Sequence, residues 1–326
     1  MRIIITGAAG FIGTALTKAL LERGSLADRN GQPQPIREIL LVDRVAPPLP
    51  PAAGIALRRE TGDLGDAAFR ARVFAQPFDS LFHLAATLTT EAERDLRKGI
   101  EVNVLGFLAL LEACRTQPQP PRLVFASSIA TFGGALPETV EDDTLQRPQT
   151  SYGIHKVIAE KLIDDHSRHG VIDGRALRLP VVIIRPPGSA PSVSDRVAAI
   201  TREPLLGQAV DCPLQPDTRV PVVSVSCVAE SLIRMHDLPV DAFGDTRAMN
   251  LPALNVTVAE MIEALRRVAG EAAAARIRMA PDAQLQAIVD GWPRRFDSAR
   301  ARRHGIMPDE SFDAILTEFL SNRAAY

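Results

Sequence analysis

Cysteine is scarce in this chain of 326 residues, which has only Cys114, Cys212 and Cys227. An odd count with no metal-ligand spacing argues against a disulfide framework and predicts no metal site, and reduced thiols in a cytoplasmic protein are the expectation. No charge of one sign dominates. The formal net charge is −2 and no long run of like charge occurs, so neither nucleic acid nor an anionic membrane has an electrostatic footprint to bind. No apolar run reaches the ~18 residues that cross a bilayer. The opening MRIIITG lacks the charged start, apolar stretch and cleavage site of a signal peptide. Internal repeats and low-complexity tracts are absent as well.

What is present is ordinary globular material, 46% hydrophobic and 23% charged, long enough for one large domain or two joined ones. Short β-branched or apolar runs at residues 2–6 (RIIIT), 38–43 (EILLVD), 57–60, 80–86 (SLFHLAA), 122–126 (RLVFA) and 176–184 predict strands. Helical spacing between them predicts helices over 11–23, 66–75, 91–114 and 151–169. Nearly all-apolar strands alternating with helices predict an α/β fold, a Rossmann-type doubly wound parallel sheet with a smaller C-terminal substrate lobe. Residues 1–184 are expected to bind a dinucleotide. Residues 185–326 are expected to form mainly the substrate lobe, with 222–240 returning to the first domain. Residues 25–37 read as an inserted surface loop, and proline and glycine crowd 186–221. Further helices are expected at 226–238, 257–269 and 312–322, with a Thr257/Glu260 capping box starting one of them.

Three local patterns carry chemistry. Gly7, Gly10 and Gly13 space a turn between the first strand and the first helix, where pyrophosphate can approach backbone N–H groups that no Cβ shields. Asp43 ends the second strand, where a carboxylate accepts ribose hydroxyls and repels a 2′-phosphate, which favours NAD although Arg44 follows. Tyr152 and Lys156 stand four apart on one helix face. A nearby ammonium favours phenolate and would make the tyrosine a general base. With only two tyrosines and four lysines in the chain, this spacing arises by chance about 2% of the time. Ser127 and Ser128 close the fifth strand at the sheet edge where ligands bind.

TGAAGFIG, Gly62-Asp63-Leu64, His83-Leu84-Ala85-Ala86, Asn103, SSIATFGG and YGIHK occur in the order and context of a known family. The chain resembles the extended short-chain dehydrogenases/reductases, the group that includes nucleotide-sugar epimerases and dehydratases. The resemblance implies Tyr152 as base, Lys156 as its partner and nicotinamide-ribose ligand, and Ser128 holding the reacting hydroxyl. It implies Gly7, Gly10, Phe11, Ile12 and Gly13 around the pyrophosphate, Asp43 on the ribose and Asp63 with Leu64 by the adenine. Ala85 would line the path to the nicotinamide, and Asn103 would support Lys156 through backbone or water contacts. Stretches of the second half such as WPRRFDSARA are similar to members that oxidise small sugar acids, with NAD as cofactor.

A carboxylate substrate calls for a cation, and Arg185, Arg219 and Arg295 are the candidates, with Ser127, Ser128 and Thr87 as further substrate contacts. The chain departs from the family pattern at residues 87–90, 187–190 and 220–227, which leaves the acid open. A nucleotide-sugar epimerase and a non-catalytic NAD-binding regulator are the alternative readings. A homodimer through helices 91–114 and 151–169 is expected from the surplus of leucines and isoleucines on the first.

Overall fold

The computed structural model describes residues 1–52, 54–184 and 192–321. Its central sheet contains β1 (Arg2–Thr6), β2 (Glu38–Asp43), β3 (Ala56–Thr61), β4 (Ser80–His83), β5 (Arg122–Ser128), β6 (Asp173–Leu179) and β7 (Ala248–Asn250). All seven run parallel in the order β7-β6-β5-β4-β1-β2-β3. The order reverses at β1, so a crevice opens there above the carboxyl ends of β1 and β4. The period of two in a strand explains the run RIIIT. Ile3 and Ile5 enter the core on one face of the sheet, Ile4 the core on the other, and all three are fully buried.

Helix α1 (Phe11–Arg23) follows the glycine turn and stops at Gly24, whose φ of 70° suits a residue without a Cβ. Helix α2 (Ser151–Arg168) starts at Thr150, whose hydroxyl accepts from Gly153 N. Helix α3 (Val225–Asp237) lies against α1 and the same core.

Several expectations need correction. The helix over 91–114 is not continuous. It runs as Thr89–Arg94, Leu96–Ile100, a π-helical turn Glu101–Leu105, and Gly106–Arg115. Asp95 leaves helical geometry (φ −136°, ψ 89°) and caps Lys98 N, which apolar spacing alone did not disclose. The run over 176–184 divides at Pro180. Its first part belongs to β6, while Val181–Val182 joins Arg219–Val223 and Leu254–Thr257 in a separate three-stranded sheet. The loop at 25–37 contains a small antiparallel pair, Ser25–Ala27 with Pro33–Pro35. Helices Val193–Leu205 and Ala283–Asp290 were not anticipated. The first was hidden by Pro204, which occupies its last turn. The capping box at Thr257 and Glu260 forms, with the threonine hydroxyl accepting from Glu260 N at 3.1 Å.

A second core gathers Ile183, Val197, Met261, Leu285 and Phe312, with Trp292 packed against it. Residues from the second half also return to the first core. Besides α3, strand β7, Ala301 and Ile306 pack there, a wider return than 222–240. Among the described residues no helix is long and apolar enough to cross a membrane.

Candidate active site

The glycine turn is shaped by close backbone approaches. Gly7 has φ +73°, and a Cβ on it would lie 2.7 Å from Ala85 N. A Cβ on Gly13 would lie 2.3 Å from Gly7 O, so α1 seats on the turn only because that position is bare. Gly10 caps α1, and the first-turn N–H groups of a helix have no intrahelical partner. Gly7, Gly10, Phe11, Ile12 and Gly13 line one end of a cavity of about 480 Å³. At the neighbouring strand end, Asp43 accepts Ala9 N (2.9 Å) and Arg44 N (2.6 Å), which places its carboxylate beside the turn. Asp63 is exposed and accepts Gly65 N at 2.7 Å, while Leu64 packs on the sheet core.

The same cavity reaches Ala126, Ser127, Ser128, Tyr152 and Lys156. Helix α2 presents Tyr152 and Lys156 on one face, and Lys156 Nζ donates to Ala126 O at 2.7 Å. The ammonium lies 4.3 Å from the Phe125 ring centroid and 5.4 Å from that of Tyr152. Burial pushes the Lys156 ammonium down to about 7, opposed by the Glu160 charge. Burial pushes the Tyr152 phenol up to about 12, opposed by a Ser128 hydrogen bond. The sequence predicts a phenol drawn down by Lys156, whereas in the protein alone desolvation is the leading influence on it, and Ser128 is the group that draws it back. Behind them His83 bonds Thr6 Oγ1 at 2.7 Å and packs in a three-ring cluster with Phe107 and Phe125. Burial, then the Lys156 charge, push it down to about 3.

Other expected residues fall elsewhere. Asn103 has no direct hydrogen bond to Lys156. Its side chain brackets the backbone of Thr87, accepting from N at 2.8 Å and donating to O at 2.9 Å, and its Nδ2 reaches His155 Nδ1 at 3.3 Å. The π-helical turn carries it there, since an extra residue per turn swings its side chain out of α-helical register. Ser127 edges the cavity, but its hydroxyl donates to Glu160. Thr87 Oγ1 is buried without a hydrogen-bond partner among the described residues. Arg219 bonds Asn255 O and lies 3.9 Å from Glu260, away from the cavity lining. Arg295 pairs with Glu138 at 3.6 Å, and Arg185 lies outside the described residues. Among the described lining residues Lys156 is the one cation.

Sequence reasoning missed the opposite wall, which comes from Ser192, Val193, Ser194, Ile288 and Trp292. The single tryptophan of the chain was the available signal, but nothing local tied it to a helix 140 residues earlier.

The model of the NAD dependent epimerase/dehydratase family matches residues 3–240. The chain is 41% identical over 322 residues to D-erythronate dehydrogenase of Cupriavidus necator, covering 99% of this chain and 98% of that one. It is 35% identical to the same-named enzyme of Haemophilus influenzae, over 98% and 99% of the two chains. A solved structure described as the nucleoside-diphosphate-sugar epimerase from Agrobacterium tumefaciens superimposes with a TM-score of 0.93 at 36% identity, covering 100% of this chain and 95% of that one. The glycine cradle, the bordering carboxylate and the tyrosine–lysine pair fit a dinucleotide, and the cofactor is NAD. The chain is an NAD-dependent oxidoreductase of the extended short-chain type. It belongs to the NAD-dependent epimerase/dehydratase family.

Proposed function

We propose that the protein oxidises one secondary hydroxyl of a small sugar acid, D-erythronate to 2-dehydro-D-erythronate. One observation carries this reading: a single cavity joins the glycine turn to Tyr152, Ser128 and Lys156 and is walled by Trp292 and hydroxyl-bearing side chains. NAD, once bound, supplies the hydride acceptor and a positive nicotinamide ring. Ser128 holds the substrate hydroxyl and Tyr152 removes its proton as the carbon becomes a ketone. Lys156 holds positive charge beside the phenol. Gly7, Gly10, Phe11, Ile12 and Gly13 take the pyrophosphate, Asp43 the ribose, and Asp63 with Leu64 the adenine. Ala85 spaces the turn from β4, and Asn103 fixes the Thr87 backbone that leads into the cavity wall.

For the substrate, Thr150, Ser192 and Ser194 line the cavity where a polyhydroxylated acid would lie. The relatives named D-erythronate dehydrogenase support the four-carbon acid. The structural neighbour described as an epimerase favours a second reading, in which the hydride returns to a nucleotide sugar. Incubation with NAD and either D-erythronate or a UDP-sugar separates them. Stoichiometric NADH absorbance with the acid is expected. An isomerised sugar without NADH would overturn the dehydrogenase.

We further place the protein in the cytoplasm as a homodimer. Its three cysteines are unpaired. Leu96, Ile100 and Leu105, with Ile154 and Ile158 of α2, expose apolar side chains on two packed helical segments. Residues 1–184 with the returning segments form the cofactor half, and the second core forms the substrate half.

A further inference from the structure

We propose that Glu160 is a positioning residue for the reaction, holding α2 in register with the Ser127–Ser128 end of β5 and providing the counter-charge for the Lys156 ammonium. This inference rests on the dehydrogenase reading for the reaction it serves, but not for its geometry.

Glu160 is 1% exposed and follows Lys156 by one helical turn, so Tyr152, Lys156 and Glu160 share a face of α2. A buried carboxylate is tolerated only when its oxygens are satisfied. Here they are. Ser127 Oγ donates to Oε1. Gln146 Nε2 donates to Oε2 at 2.8 Å. Arg178 Nε and Nη2 donate at 3.1 and 2.9 Å. Arg178 is itself fixed, with Nη1 reaching Asp142 O at 3.1 Å and Asn250 Oδ1 at 3.2 Å. The carboxylate thus ties α2 to β5 through Ser127 and to β6 through Arg178.

The consequence for the site follows from adjacency. Ser127 and Ser128 are consecutive, so fixing the first on Glu160 fixes where the second meets Tyr152. One residue earlier, Ala126 O takes the Lys156 proton bond, so β5 receives α2 at both positions. The groups facing Lys156 are Tyr152 and Glu160 on its own helix, the Phe125 ring on β5, and His83 on β4, which is neutral. Glu160 is the negative one. It favours the ammonium against burial.

The test is a pH titration of Tyr152 absorbance in the NAD-loaded protein, which requires no substrate, with Tyr152→Phe as blank because Tyr326 is the only other tyrosine. Glu160→Gln keeps the shape and removes the charge. The Tyr152 transition is expected to move up by about one pH unit, and the rise of kcat/KM with pH is expected to move with it while the Kd for NAD stays constant. Glu160→Gln strands Arg178, so the double variant Glu160→Gln/Arg178→Gln is run beside it. With the stranded guanidinium removed as well, it is expected to fold and to show an upward shift. Titration curves that superimpose on the wild type in the double variant would overturn the proposal, even if Tm falls. Absence of turnover on D-erythronate, with the spectroscopic shift intact, would instead remove the substrate reading and leave Glu160 in its role.

Discussion

The two edges of the central sheet carry similar residue types and do different things. At the amino edge, Ser80 Oγ meets His236 Nε2 at 2.7 Å, and His236 Nδ1 meets Asp237 Oδ1 at 2.8 Å. Arg175 adds bonds to Asp173, to Met235 O and to His236 O. On connectivity alone this is a serine–histidine–aspartate relay. Yet Ser80, His236 and Arg175 are each fully buried, and none lines the cavity above the glycine turn. At the carboxyl edge Tyr152, Lys156 and Ser128 open into that cavity. Access decides between clamp and catalyst. The amino-edge relay pins α3 beneath β4 and β6, whereas the carboxyl-edge set has a space in which a reacting carbon fits.

The largest expected effect tests that division. Tyr152→Phe removes the proton acceptor and should lower kcat by about 10²- to 10⁴-fold with the NAD Kd unchanged. Ser80→Ala should leave kcat/KM within about twofold and show its effect in stability, by about 1–3 kcal/mol, because it leaves a buried imidazole nitrogen unpaired. Steady-state kinetics and urea unfolding of both variants suffice. A Ser80→Ala enzyme as impaired as Tyr152→Phe would erase the contrast.

Next in size is the pH response that both edges share. Burial pushes His236 down to about 4 and His83 down to about 3. In the unfolded chain each takes a proton near the ordinary value of about 6.5. Between that value and the folded one the unfolded state binds more protons, so stability is full above pH 6.5 and is lost as pH falls below it. The slope approaches ~1.4 kcal/mol per pH unit for each histidine. Urea midpoints at pH 7.5, 6 and 5 should decline in that order. A flat series would mean that these rings are not held neutral.

What could be read from the sequence was local. The glycine turn, Asp43 and the Tyr152–Lys156 pair each depend on short-range spacing; the turn and the pair line one cavity, and Asp43 bonds the turn at Ala9 N. The short all-apolar runs in RIIIT and EILLVD marked two neighbouring strands of the sheet for the same reason. What escaped depends on distant partners. Asn103 came from the family resemblance, and its contacts with Thr87 and His155 depend on a π-helical turn that helical periodicity does not show. Arg219 was plausible for a carboxylate until its strand paired with Leu254–Thr257 and turned it to Asn255 and Glu260. The Glu160 network includes Asn250 and Asp142, 108 positions apart, which no local pattern connects.

The smallest expected effect concerns the part of the carboxyl edge that the amino edge has no counterpart for, its wall from the second core. Trp292 packs on that core and edges the cavity opposite Tyr152. An indole there gives a large, stiff surface against which a short acid is held, and an aromatic contact of this kind contributes about 1 kcal/mol beyond simple burial. Trp292→Ala should therefore raise KM for the acid by about fivefold to tenfold, with kcat and the NAD Kd little changed, since the pyrophosphate end and the proton acceptor stand on the other wall. Because Trp292 is the only tryptophan, the wild-type protein also reports directly: its emission should change when the acid is added to the NAD-loaded enzyme. An emission spectrum indifferent to saturating substrate, together with an unaltered KM in the variant, would take Trp292 out of the substrate site and confine recognition to the Thr150 and Ser192–Ser194 hydroxyls.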